Sequence, residues 1–117
     1  MPAALFVYGT LMDARVQRRV SGREFPSQPA SLPGFRRYLV VGEAYPGIRP
    51  DPEGIVSGRL LWPVGRAALT RLDAYEGALY RREEVEVVLA DGCRERAFVY
   101  VVQPHLHHRL STRAWRG

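Results

Sequence analysis

The 117-residue sequence has no lysine, only one cysteine and no long apolar run, and each shortage closes off a class of chemistry. Without lysine there is no side-chain amine to form a Schiff base with a carbonyl substrate. With Cys93 alone there is no internal disulfide, and its place beside Asp91-Gly92 reads as an exposed or edge position rather than that of a nucleophile. No stretch approaches the roughly 20 apolar residues that a membrane-spanning helix needs. The opening MPAALFVYG lacks the basic start and long apolar core of a secretory leader, so the expected location is cytoplasmic, with no membrane partner. Histidine is scarce too. His105, His107 and His108 are the only three, and their spacing is not that of a structural zinc site. No second cysteine or nearby carboxylate completes a ligand set, so a metal site is not expected there.

What is present describes an ordinary folded domain. Hydrophobic residues make up 46% and charged residues 25%, which removes any compositional case for disorder. The length fits one core, assigned to residues 1–104, followed by a solvated or loosely packed tail over 105–117 that either docks through Trp115 or frays. The net charge of +5 comes entirely from arginine, a residue that pairs well with phosphate. The arginines are nevertheless scattered from Arg15 to Arg116 in ones and twos, and no zinc knuckle, RNA-recognition motif or glycine-rich basic segment accompanies them. A nucleic-acid partner is therefore not expected.

Along the chain, Ala3 to Tyr8 is a short apolar run ended by Gly9 and reads as a buried strand. After Gly9-Thr10-Leu11-Met12, Asp13 is a good N-cap for a helix carrying Val16 and Val20, with Gly22 as its stop. A strand, a glycine turn and a helix start in succession leave backbone N–H groups aimed into the turn, with the helix dipole behind them. A carboxylate would bind well there. Residues 22–34, rich in Pro, Ser and Gly, read as a loop, and so do residues 43–54, where Pro46-Gly47 and Pro50-Asp51-Pro52 mark turns. Strands are expected at 35–41 and 55–62, with Gly58 marking a bulge or a close backbone approach and Pro63 ending the second strand. Asp91-Gly92 joins two further strands, 84–90 and 95–102, as a hairpin. About five strands and two helices in this order indicate an α+β fold, a mixed and largely antiparallel sheet curled into a small barrel with flanking helices.

The second helix, within RAALTRLDAYEGALYRR at 66–82, carries one oddly placed carboxylate. With Leu69 at zero and steps of about 100°, Leu72 falls near 300°, Ala68 near 260°, Tyr75 near 240° and Glu76 near 340°. Glu76 thus lies on the apolar side, in the last turn before Gly77 and at the negative end of the helix dipole. Burial against Leu69 and Leu72 would raise its pKa into the range of a general base. The plain alternative is a solvated carboxylate at a helix end.

Three separated motifs then coincide. Tyr8-Gly9-Thr10-Leu11, Tyr45-Pro46-Gly47 and Leu72-Asp73-Ala74-Tyr75-Glu76-Gly77 with Tyr80 and Arg81-Arg82 together resemble the gamma-glutamylcyclotransferase-like superfamily, above all its small bacterial branch and its gamma-glutamylamine cyclotransferase and AIG2-like members. The resemblance implies that Glu76 is the catalytic acid/base. It also implies that Tyr8, Gly9, Thr10 and Leu11 bind the substrate, with their backbone amides on its alpha-carboxylate. The implied substrate is a small gamma-glutamyl compound, cyclised without metal or cofactor to 5-oxoproline with release of an amine. A fold need not keep its chemistry, so a non-catalytic binding module with the same cavity is the alternative. Tyr80 and Tyr100 read as core or wall residues, and Arg81, Arg82 and Asp73 as solvated charges or helpers of the backbone.

Overall fold

A computed structural model describes residues 2–114. The first strand, β1 (Ala3–Val7), is buried on both faces, which is why its run of apolar residues does not alternate. Phe6 points into a cluster with Leu32, Ile48, Val56, Val87 and Val99. Its neighbours Leu5 and Val7 point the other way, into a second cluster under the helices. The helices are α1 (Ala14–Ser21) and α2 (Arg66–Glu76). Asp13 caps α1 by accepting from the Arg15 N–H at 2.8 Å, and Gly22, at φ 89°, ends it. Both ends match the sequence expectation.

The remaining strands are β2 (Ser27–Val40), β3 (Pro46–Val64), β4 (Tyr80–Leu89), β5 (Arg94–Val102) and β6 (Leu110–Ala114). The sheet runs β3-β1-β5-β4-β2, and β2 pairs back onto β3, so five strands close into a barrel. Only β1 and β5 are parallel, with Leu5 opposite Phe98, while every other pairing is antiparallel. The expected α+β barrel with flanking helices is the observed architecture.

Two expectations fail, for one reason. The segments at 22–34 and 43–54 are mostly strand, because β2 and β3 form one long antiparallel hairpin from Ser27 opposite Leu61 to Leu39 opposite Pro46. Alternate residues of an antiparallel strand donate to a given neighbour, so prolines spaced by an even number withhold donors from one side of the strand only and leave the other ladder intact. Pro29 and Pro33 share one register, and Pro46 and Pro50 share another. The irregularity is confined to the register shift between Pro33 and Phe35, where Asp51 pairs with Arg36 at 2.7 Å and accepts from the Glu53 N–H at 3.0 Å. Pro63 does not end β3, which runs on to Val64. Gly58 marks a close approach, since a Cβ there would lie 2.2 Å from the Val7 carbonyl oxygen.

The β4–β5 hairpin turns at Asp91-Gly92 as expected, with the Leu89 N–H donating to the Cys93 carbonyl at 2.8 Å and Cys93 exposed. The segment after Pro104 is not loose. A 3-10 turn over Pro104–Arg109 leads into β6, which adds to β2 with Val40 opposite Leu110, and Leu110 is buried with Val40 and Val102. Trp115 lies outside the described residues. Among the described residues no helix is long and apolar enough to cross a membrane.

Candidate active site

Tyr8 follows β1 and is buried, and the chain then makes a single 3-10 turn over Thr10–Met12. Within it the Met12 N–H donates to the Gly9 carbonyl at 3.0 Å and the Asp13 N–H to the Thr10 carbonyl at 3.1 Å. Amides ahead of the first such bond have no partner inside the turn. The residues that carry them, Gly9, Thr10 and Leu11, line a cavity of about 230 Å³. One detail differs from the sequence reading. The α1 helix does not start at this turn but after it, and its positive end is already met by the Asp13 carboxylate. Any affinity of the turn for an anion therefore comes from the local amides, without the α1 dipole.

The turn is held from behind by two side chains. Arg37 of β2 donates from Nη1 to the Tyr8 carbonyl at 2.7 Å. Gln17 of α1, only 3% exposed, donates from Nε2 to the Leu11 carbonyl at 2.8 Å and accepts from the Phe25 N–H at 3.0 Å. With both carbonyls engaged, the peptide planes of the turn are fixed. In front, Pro46 packs close over residue 9, since a Cβ there would lie 3.0 Å from Pro46 Cγ and would press on the ring. Tyr80 donates its hydroxyl to the Pro46 carbonyl at 2.7 Å, so the second motif is clamped between the first and the third.

Glu76 is the last residue of α2 and lines the same cavity. The four motif residues Tyr8, Gly9, Thr10 and Leu11 and the one carboxylate are thus brought together. Burial pushes the Glu76 carboxyl up from 4.5 to about 7. The walls around it are not Leu69 and Leu72, which pack into the cluster beneath the helix. They are tyrosines: Tyr8, Tyr45, Tyr75, Tyr80 and Tyr100 all line the cavity, five of the protein's six. Tyr75, on the apolar side of the wheel, is 42% exposed because the last turn of α2 overhangs the cavity mouth instead of the core. Burial raises the pKa of Tyr8, Tyr80 and Tyr100, so these hydroxyls keep their protons at neutral pH and serve as donors. Among the lining residues Glu76 alone is suited to exchange a proton near neutrality.

Beside the cavity, Asp73, one turn before Glu76, accepts at Oδ1 from the Tyr100 hydroxyl at 2.7 Å and from Arg82 Nε at 2.9 Å. Arg82 Nη2 reaches its other oxygen at 3.1 Å, and the guanidinium lies 4.5 Å from the centre of the Phe98 ring. Arg82 and Asp73 are therefore partners and not separate solvated charges, whereas Arg81 does pair with Glu83, at 2.6 Å. Sequence reasoning also missed Gln17 and Arg37, whose contacts link distant segments and leave no local pattern. No group of residues suited to a metal ion occurs among the described residues, and His107 is engaged by the Val102 carbonyl at 3.1 Å.

The family model for gamma-glutamyl cyclotransferase, AIG2-like, matches residues 5–117. The chain belongs to this family. AIG2-like protein D of Arabidopsis thaliana is 38% identical over 93 residues, covering 80% of this chain and 61% of that protein. Against the AIG2-like proteins A, C and D of that plant, this chain spans 51% to 61% of their length. A solution structure of an Arabidopsis thaliana protein superposes with a TM-score of 0.82 at 31% identity, over 97% of this chain and 76% of that one. A structure named gamma-glutamyl cyclotransferase shares the fold at a TM-score of 0.77 and 19% identity, over 88% of this chain and 68% of that one. Membership in the AIG2-like family accounts for the three motifs and for the barrel they decorate.

Proposed function

We propose that the protein is a gamma-glutamyl cyclotransferase that converts a small gamma-glutamyl compound to 5-oxoproline and a free amine. The observation that supports this reading is that one cavity contains both a turn of backbone amides and a single carboxyl whose proton affinity lies near neutrality. The amides of Gly9, Thr10 and Leu11 donate to the substrate's alpha-carboxylate. Glu76, substantially ionised at pH 7, takes a proton from the alpha-ammonium. The freed amine attacks the gamma-carbonyl, a C–N bond forms to close a five-membered lactam, and the bond to the leaving nitrogen breaks. The ring nitrogen gives up a second proton as the lactam forms, and the leaving nitrogen takes up both protons by way of Glu76 and departs as an ammonium, so the carboxyl ends as it began.

Because nucleophile and electrophile belong to one molecule, holding the chain folded supplies much of the acceleration, up to about 7–11 kcal/mol in favourable cases. The tyrosine walls suit that task, being rigid and apolar over their rings. The test is Glu76→Gln with a panel of gamma-glutamyl amines and peptides. Loss of a general acid/base lowers turnover by about 10²–10⁴-fold, and 5-oxoproline release should fall accordingly while the circular dichroism spectrum stays unchanged. Undiminished turnover in this variant would remove Glu76 from the reaction. Calorimetric binding by the unaltered protein without product would make the cavity a binding module instead.

A further inference from the structure

The last turn of α2 has little apolar support. Ala68, Leu69 and Leu72 bury the earlier turns, but beyond Leu72 the helix overhangs the cavity, with Tyr75 42% exposed and only a long 3.4 Å contact between its hydroxyl and Thr10 Oγ1. The turn that carries Glu76 is instead tied down by Asp73, whose carboxylate binds Arg82 of β4 through two guanidinium nitrogens and Tyr100 of β5 through the hydroxyl. Paired bonds of this kind fix both distance and orientation. Tyr100 has a second role, because its backbone carbonyl accepts the Tyr8 hydroxyl at 2.5 Å. A continuous path therefore runs from the strand end that presents the amide turn, through Tyr8 and Tyr100, to Asp73 and the helix turn that presents Glu76.

We propose that Asp73, held by Arg82 and Tyr100, is a positioning residue that sets the separation between Glu76 and the Tyr8–Leu11 turn. The assignment rests on the cyclotransferase reading for its effect on rate, but not for its effect on the position of Glu76. Its consequence is that substrate is still bound when the tie is cut, while the proton acceptor no longer meets the alpha-ammonium. A misplacement of about 1 Å is enough to lose about 10²-fold in rate. Tyr8 of the strand end, Tyr80 of β4 and Tyr100 of β5 face Glu76, and the charged pair Asp73 and Arg82 borders a neighbouring opening with it, so a variant that alters no charge reports through the Glu76 carboxyl on where the helix turn lies.

Tyr100→Phe is the cleanest variant, since it deletes one hydroxyl, keeps the ring in the wall and changes no charge. Asp73→Asn removes the charge as well, and Arg82→Lys preserves charge but not the two-pronged geometry. Two readouts are taken on each folded variant: the kcat and KM for 5-oxoproline release, and the titration of the Glu76 carboxyl by carbon NMR. Tyr100→Phe and Asp73→Asn should lower kcat by about 10–100-fold with KM changed less than about threefold. The Glu76 titration should move down from about 7 toward the ordinary carboxylate range as the group swings to water. Arg82→Lys should retain more turnover than Arg82→Gln. Wild-type kcat and an unmoved Glu76 titration in Tyr100→Phe would overturn the assignment, and that variant carries the decision if Asp73→Asn fails to fold. If the unaltered protein forms no 5-oxoproline at all, the functional reading falls and the NMR titration alone decides the positioning.

Discussion

The barrel interior and the cavity at its end are built from the same strand, two residues apart, and differ in almost every physical respect. Phe6 and Tyr8 share one buried cluster and both line the cavity. Phe6, however, packs among Leu32, Ile48, Val56, Val87 and Val99 and brings no polar atom, whereas Tyr8 adds a hydroxyl to a wall it shares with four other tyrosines and one carboxyl. In the interior, stability comes from close packing and the removal of water, and no group is available to exchange protons. At the cavity, buried area is given up to leave space, and three hydroxyls in its wall are held in place, that of Tyr8 by the Tyr100 carbonyl, that of Tyr80 by the Pro46 carbonyl and that of Tyr100 by Asp73. The comparison teaches that this small domain keeps its chemistry at a rim, where the strands end and a helix end overhangs, and leaves the middle of the barrel to packing.

Three experiments would break or sharpen that contrast. The largest effect belongs to the interior. Leu32→Ala removes a side chain only 1% exposed, and such truncations destabilise by about 2–5 kcal/mol; denaturant unfolding should show this with the urea dependence unchanged. A loss below about 1 kcal/mol would mean that the interior is not tightly packed.

The next effect belongs to the cavity and has the opposite sign. A carboxyl whose pKa is higher folded than unfolded binds more protons in the folded state between those two values. Stability from Glu76 is therefore greatest below pH 4.5, declines as pH rises to about 7 and stays low above it. The rise from 4.5 to about 7 is worth at most about 3 kcal/mol at 1.36 kcal/mol per pH unit. Glu76→Gln should accordingly melt higher than the unaltered protein at pH 8 and close to it at pH 4. Equal melting temperatures at pH 8 would show that the ionised carboxylate is not desolvated. The smallest effect is at the lip, where Tyr75→Phe should change stability by less than about 0.5 kcal/mol, because its hydroxyl makes only the long contact to Thr10.

The same contrast explains what could be read from the chain. The caps of α1 at Asp13 and Gly22, the hairpin at Asp91-Gly92 and the unalternating β1 each depend on neighbours in sequence, and all were legible. The long β2–β3 hairpin was not. Its prolines are breakers in isolation and harmless only once the pairing register is known, which is a fact about two strands and not one. At the cavity, Glu76 and the Tyr8–Leu11 turn stood out, because a carboxylate on the apolar side of a helix and a glycine after a buried strand are local anomalies. Gln17, Arg37 and the Asp73–Arg82–Tyr100 tie gave no such sign. Arg37 meets Tyr8 across 29 positions and Tyr100 meets Asp73 across 27, so their roles exist only in three dimensions.

The hydrogen bond from Tyr8 to the Tyr100 carbonyl also sets an order of events. It joins residues 92 positions apart, and β1 pairs on one side with β3 and on the other with β5. During synthesis from the N-terminus the amide turn emerges early, yet the wall it leans on emerges late, and contacts that close long loops form slowly. A growing chain that has reached α2 already contains Tyr8, Gly9, Thr10, Leu11 and Glu76 and still has no cavity. The chamber comes into existence only when the fifth strand is in place, so any ligand it takes is recognised by the finished barrel alone.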